Sequence, residues 1–440
     1  MTIINKITDL LMCKKILLSF TLGAIFPYIT HANVNSENII EVGESCDTQS
    51  IVDAIRCGQA TGKFHTLYYS THNAYFVEDL NQDTVTAGGY LKFETAPFYG
   101  FTAGISYAGQ RRLDDRHSDN DEVTELKNNK DGLAEAYINW NKDALKIKVG
   151  QQHLDVPFLG NYDWRIMPPL FRAVDIQYGS QNDYVRFTGA DRFKSYADDQ
   201  FTKTSRYSNV ETDGVWSIGV AKSFDVGTNK LNAQMWYQNY DDYNYLTYFE
   251  SHLKLNEQRF TPSLGVQFMH AKGDGQALKQ ASNLVENHKV DHQGVGALLS
   301  LNPKENITVK AGYNYIKENK DSYMNGALFT PYMIYTSSGP YFAQPFFTST
   351  QDLGSGHAYM VSIEGSLNEQ TYIGVNYSFM DLKESSDVKS LNQSEYVIYG
   401  FYNFKGAMKG WSLANFFGVV TSPREDKVFL QNRFGVKYIF

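Results

Sequence analysis

The chain has 440 residues, with 40 Lys and Arg against 48 Asp and Glu, for a formal net charge of −8 at pH 7. That balance excludes a nucleic-acid binder, which carries clustered basic charge. Tyr (31), Phe (28) and Trp (5) make up 15% of the residues, yet the mean hydropathy is −0.40. A soluble protein this polar has little use for so many aromatics. A transmembrane barrel does, in girdles at both membrane interfaces around a wet interior.

In chain order, Lys14 and Lys15 precede an apolar run over 16–29 that ends near Thr30-His31-Ala32. This is the pattern of a secretory signal, with cleavage expected after Ala32. The run is short and broken by Pro27, whereas a spanning helix needs about 20 apolar residues. No later stretch is long and apolar enough either, which excludes a helical membrane protein. The expected organisation is a leader over 1–32, a periplasmic segment over 33–61 and a barrel over 62–440. Once Cys13 leaves with the leader, Cys46 and Cys57 remain as an even pair in an oxidising compartment, where a disulfide is the default. They flank a helical pattern over 48–56, with Ile51 and Ile55 on one face, Asp47 as N-cap and Gly58 at C′.

From Gly62 onward the period is two. Leu145, Ile147 and Val149 alternate with Lys146, Lys148 and Gly150; Ile307, Val309, Ala311 and Tyr313 oppose Thr308, Lys310, Gly312 and Asn314. Strands are expected near 62–70, 84–95, 99–109, 131–142, 144–152, 171–178, 183–192, 213–224, 228–240, 244–254, 259–271, 292–301, 305–317, 356–367, 370–381, 394–405, 409–420 and 427–440. Tight turns alternate with long loops at 110–130, 153–170, 193–212, 272–291 and 318–355, the asymmetry of short periplasmic turns and long external loops. The fold class is therefore all-β, a transmembrane antiparallel barrel of about 18 strands, an even number that leaves both termini in the periplasm. A Lys or Arg facing lipid at mid-bilayer costs about 2–4 kcal/mol, so Lys146, Lys148, Lys310 and Arg433 must face the lumen. The last strand alternates Phe434, Val436, Tyr438 and Phe440 up to a C-terminal aromatic, which looks like the signal read by the outer-membrane assembly machinery.

Three stretches carry a resemblance: Gly62-Lys-Phe-His-Thr-Leu-Tyr-Tyr69; Ala87-Gly-Gly-Tyr-Leu-Lys-Phe-Glu-Thr-Ala-Pro-Phe-Tyr-Gly-Phe101; and Val149-Gly-Gln-Gln-His-Leu-Asp-Val-Pro-Phe158 followed by Asp163-Trp-Arg165-Ile-Met-Pro168-Pro-Leu-Phe171. Over 62–178 the chain resembles the OprD family of substrate-specific outer-membrane porins. The resemblance implies an 18-strand barrel whose third external loop folds inward, with uptake of amino acids or other carboxylates past a basic wall. It places Asp163 and Arg165 in the constricting loop, where they either line the eyelet or tie the loop to the wall through a salt bridge.

The basic wall itself is read from alternation alone. Inward cations are Lys146, Lys148, Arg186, Lys310, Arg433 and Lys437, with Glu94, Glu135 and Asp175 as opposing acids that sharpen the transverse field. For each residue the rival reading is a lumen charge that serves only solubility and strand pairing. Loop 318–355, rich in Pro and aromatics, is expected to pack over or into the mouth. Among the histidines, His288 and His292 read as solvated loop residues rather than metal ligands. Enzyme motifs are absent, and no cofactor, metal or nucleic acid is called for. The expected partners are outer-membrane lipid and lipopolysaccharide, small solutes, and the assembly machinery through Phe440, with the protein a monomer or homotrimer. The competing functions are a general diffusion porin, or an outer-membrane barrel adhesin or enzyme.

Overall fold

A segment that alternates apolar and polar side chains buries only one face, and its backbone still needs partners on both edges. Here the segments satisfy both demands by closing on themselves. The computed structural model describes residues 48–114, 123, 126–159, 165–205, 207–281, 288–332, 341–347, 354–383 and 392–440. The expected leader, Cys46, Asp47 and Asp163 lie outside the described residues. Eighteen strands are present among those described: β1 (Gln59–His72), β2 (Gln82–Glu94), β3 (Phe101–Arg112), β4 (Lys130–Lys142), β5 (Leu145–Gln152), β6 (Leu170–Gly179), β7 (Tyr184–Lys194), β8 (Val215–Val226), β9 (Asn229–Tyr240), β10 (Asn244–Lys254), β11 (Ser263–Gly273), β12 (Val290–Lys304), β13 (Ile307–Ile316), β14 (Gly356–Ser366), β15 (Thr371–Leu382), β16 (Ser394–Asn403), β17 (Trp411–Thr421) and β18 (Phe429–Ile439). Each pairs antiparallel with its sequence neighbours, and β1 pairs with β18 from Lys63↔Ile439 to His72↔Leu430 to close the barrel. The terminal Phe440 completes the seam: its N–H donates to the Gly62 carbonyl at 3.1 Å and its carbonyl accepts from Gly62 N at 2.8 Å.

The distribution of side chains is inverted relative to a soluble protein. Ile138 is 59% and Val266 53% exposed on the outer surface, while Asn314 and Ser378 on the inner face are wholly buried. Such an outer surface is stable against hydrocarbon and not against water. Aromatic pairs mark both rims. At the short-turn end Trp411 stacks on Tyr438 (4.9 Å between ring centres) and Phe101 lies 5.9 Å from Trp140. At the long-loop end Trp216–Tyr237, Tyr313–Tyr359 and Tyr377–Tyr396 pack at 5.4, 5.4 and 4.9 Å.

The N-terminal helix α1 (Ile51–Arg56) starts later than the sequence pattern predicts. Its cap is Ser50, whose Oγ accepts from Asp53 N at 3.1 Å, and not Asp47. Gly58 adopts no left-handed backbone there; it is small because a Cβ would sit 2.4 Å from the Phe93 ring. Cys57 is disulfide-bonded. Ala96 N donates to Ala54 O at 2.9 Å, tying α1 to the β2–β3 turn.

A lipid-facing and a lumen-facing position in the middle of one strand provide the test of this orientation. Val375→Lys should cost about 2–4 kcal/mol of folding stability in a lipid bilayer, and the neighbouring Asn376→Lys much less. Equilibrium unfolding in liposomes checks it; equal costs would contradict the assignment of faces.

Candidate functional site

One strip of the inner wall is basic. Arg433 and Lys437 lie on the lumen phase of β18; Lys437 pairs in register with His65 and Arg433 with Tyr69 on β1. Lys63 follows on β1, with its Nζ 5.4 Å from the Tyr90 ring centre. Lys92 on β2 reaches Glu135 (3.6 Å) and Glu94 (3.8 Å), and Lys148 on β5 reaches the same Glu135 at 3.8 Å. Tyr137 on β4 lies beneath both ammonium groups, 5.0 Å from Lys92 and 3.7 Å from Lys148, and its hydroxyl donates to Glu94. This contact spans β3, which is possible because β3 is small inside: a Cβ on Gly104 would lie 2.3 Å from Tyr137 Cζ. The strip therefore runs from β18 through β1 and β2 and across β3 to β5.

The acids do not stand across the lumen from these cations, as the sequence suggested, but beside them, on the same strand or within two strands. Glu135 is shared by two lysines. Asp175 takes a two-pronged ion pair from Arg186 (Nε 2.8 Å, Nη2 3.1 Å) and accepts from Thr188 at 2.6 Å. Lys310 pairs with Glu364, which also accepts from the Tyr399 hydroxyl. A lumen filled by inserted loops is a poor solvent for a lone carboxylate, so these acids are held close to a cation. Arg186 has a second task, donating from Nη1 to the Asp155 carbonyl at 2.8 Å and anchoring the base of the β5–β6 loop. Lys146 stays exposed near the short-turn end, opposite Asn141 and Gln177.

Long loops fold into the barrel, and two of them reach the site among the described residues. In the β5–β6 loop (153–169) Leu154, Val156, Phe158 and Leu159 are buried. Pro157 O accepts from Gln238 Nε2 at 2.5 Å, and Phe158 meets Tyr248 edge-on at 5.5 Å. The loop then returns to the opposite wall, where the Arg165 guanidinium lies 4.8 Å from the Tyr69 ring and 5.5 Å from Tyr196. Arg165 is 3% exposed. These ring contacts tie the loop to the wall by cation–π contact. The Tyr69 ring also lies 4.9 Å from the Arg433 guanidinium, so two guanidinium groups share it.

The β13–β14 loop (317–355) enters from above and is caught by acceptors on the wall. Gln267 accepts from Phe342 N (3.1 Å), Asn314 from Ala343 N (2.8 Å), and Glu395 from Phe346 N (2.6 Å) and Phe347 N (3.1 Å). The loop covers His292, which is wholly buried and not solvated, with Nδ1 2.8 Å from Gly326 O and Nε2 3.1 Å from the Tyr341 hydroxyl. His288 remains exposed. Tyr332 meets the Thr212 hydroxyl at 2.6 Å. Burial raises the Tyr332 and Tyr243 phenols above their ordinary value, keeping both neutral in the packed mouth. Loop and wall aromatics thus fill the mouth on the side of β9 and β10.

Several members of the site had not been singled out from sequence: Lys63, His65, Lys92, Glu364 and Glu395, together with Glu250. Glu250 is 2% exposed and bonded to Tyr248, Gln234 and His252. Lys92 and Lys63 were available to the same alternation argument, since Lys92 shares its face with Glu94.

No protein-family model and no curated protein matches the chain. Solved structures do. OpdK of Pseudomonas aeruginosa, crystallised with vanillate, aligns with a TM-score of 0.71 at 14% identity, over 88% of this chain and 99% of that one. A BenF-like porin from Pseudomonas fluorescens Pf-5 aligns at 0.73 and 13%, over 88% and 99%. OccAB4 of Acinetobacter baumannii aligns at 0.67 and 16%, over 87% and 98%. At this level of identity the similarity establishes the architecture: the chain has the 18-stranded barrel fold of these porins.

Proposed function

We propose that this chain is a solute-selective channel of the bacterial outer membrane, and that its substrates are small carboxylates, aromatic ones among them. The observation that carries the reading is the strip of lumen cations formed by Arg433, Lys437, Lys63, Lys92 and Lys148. Successive cations give a carboxylate a series of sites, each attractive enough to enter and weak enough to leave. Arg433 adds a planar fork that matches a carboxylate with two parallel bonds. Lys310 and Arg186, each in a close ion pair of its own with Glu364 and Asp175, serve the wall more than the solute, whereas Lys92 and Lys148 share Glu135 at 3.6 and 3.8 Å. Vanillate in the OpdK structure, an aromatic carboxylate, supports the same substrate class. The inserted loops favour a selective channel over a general diffusion pore, since both narrow the lumen. The apolar belt and the alternation of short turns with long loops support an outer-membrane location, facing lipopolysaccharide on the long-loop side.

Uptake into liposomes tests the role of the strip. Arg433→Ala combined with Lys63→Ala should lower benzoate uptake about tenfold, as loss of about 1.4 kcal/mol of charged binding predicts. Uptake of a neutral sugar of similar size should change little. Arg186→Ala should instead lower thermal stability and leave the preference for benzoate intact. Equal losses for benzoate and sugar in the double variant would contradict the reading.

Phe440 has a separate proposed role as the residue read by the assembly machinery. Deleting it should reduce assembled barrel in cells while refolding in detergent proceeds. Equal losses in both would leave it only the packing role at the β1–β18 seam.

A further inference from the structure

The inner wall beside the basic strip is aromatic. Tyr399 on β16 and Phe416 on β17 stack nearly parallel, 5.4 Å apart and 9° between planes, and Phe401 meets Phe416 edge-on at 5.5 Å. Phe416 is the register partner of Arg433, so the aromatic wall borders the cation strip directly. This wall is covered by two consecutive residues of the β13–β14 loop. Phe346 packs 5.0 Å from Tyr399 and 5.8 Å from Phe416. Phe347 lies 4.8 Å from the Arg433 guanidinium. Gly418 leaves the room for that ring: a Cβ there would sit 2.1 Å from Phe347 Cε2.

The backbone of the same two residues is held by a carboxylate. Glu395, wholly buried, accepts from both Phe346 N and Phe347 N. A buried acid aimed at two successive amides is a specific hold on this dipeptide, because a carboxylate in so dry a place needs charge-strengthened donors. The rings could pack against any apolar surface; the amide pair fixes them at this one.

We propose that Phe346-Phe347 is a built-in plug: a tethered pair of aromatic rings, latched by Glu395, filling the seat beside Arg433 that the ring of an aromatic carboxylate occupies when it passes. The plug rests on the channel reading above and extends it from the charged end of the solute to its ring. Arg433 over an aromatic face is favourable whether that face belongs to Phe347 or to a solute. Phe347 thereby keeps the guanidinium positioned in the resting barrel. The plug also sets selectivity, since a solute that cannot offer both a ring and an anion gains nothing in the seat.

Single-channel recording of the refolded barrel tests the plug, with folding verified by heat-modifiable mobility. The double variant Phe346→Ala/Phe347→Ala should raise conductance by about twofold or more as the constriction widens. In it, benzoate should cause longer current interruptions than in wild type, while acetate at equal concentration causes none. Phe347→Ala alone keeps Phe346 between Tyr399 and Phe416 and should give an intermediate conductance, which preserves the test if the double variant folds poorly. Wild-type steps that both variants leave unchanged would overturn the plug and keep the channel. Equal effects of benzoate and acetate would also overturn it. Absence of steps in every folded form would overturn the plug and the channel together.

Discussion

Backbone amides and carbonyls placed in hydrocarbon have no water to bond, so every strand edge must find a partner within the protein. The pairing of β1 with β18 is what meets that demand, and most of the structure follows from it. Once the sheet is closed there are only two faces, one against lipid and one against the lumen. Alternation then stops being a preference and becomes a rule, because a residue on the wrong face meets the wrong solvent. This is why Val375 is outside and Asn376 inside along one continuous strand, and why Lys and Arg gather on the inner wall.

An 18-stranded ring alone encloses a wide aqueous channel. Selectivity has to come from what is put back into it. The β5–β6 and β13–β14 loops re-enter, and their backbones bring polar groups that need partners away from water. Each descends onto polar wall side chains: Gln238 donates to Pro157 O, while Gln267, Asn314 and Glu395 accept from amides within 342–347. Tyr69 stands where the two insertions converge, sharing its ring with Arg165 of one loop and with Arg433, which in turn lies under Phe347 of the other. Charge inside this narrowed space is arranged as adjacent pairs, with the β18–β1–β2 cations bordering an aromatic wall.

The strands were readable from sequence because the membrane imposes period two on nearly every residue between turns. Where the reading slipped, a turn was longer than it looked. β11 was expected from 259 but begins at Ser263, because Phe260 and Thr261 adopt positive φ (68° and 37°) ahead of Pro262 and extend the turn. Alternation also reports only a face, never a neighbour. Glu135 could be placed inside the barrel, but its contact with both Lys92 and Lys148 depends on register, on a bulge between Ile105 and Tyr107 and on the absence of a side chain at Gly104. The loop contacts were less legible still. Glu395 holding the amides of Phe346 and Phe347, and Tyr341 reaching His292, join residues about fifty positions apart with no periodic signature.

The central claim is that this barrel conducts, and that it does so selectively. The most direct measurement is single-channel recording of the wild-type barrel in a planar bilayer, adding benzoate, a basic amino acid and a neutral sugar in turn. Discrete steps interrupted by benzoate and indifferent to the other two are the predicted result. Steps insensitive to all three, or no steps from folded protein, would contradict it.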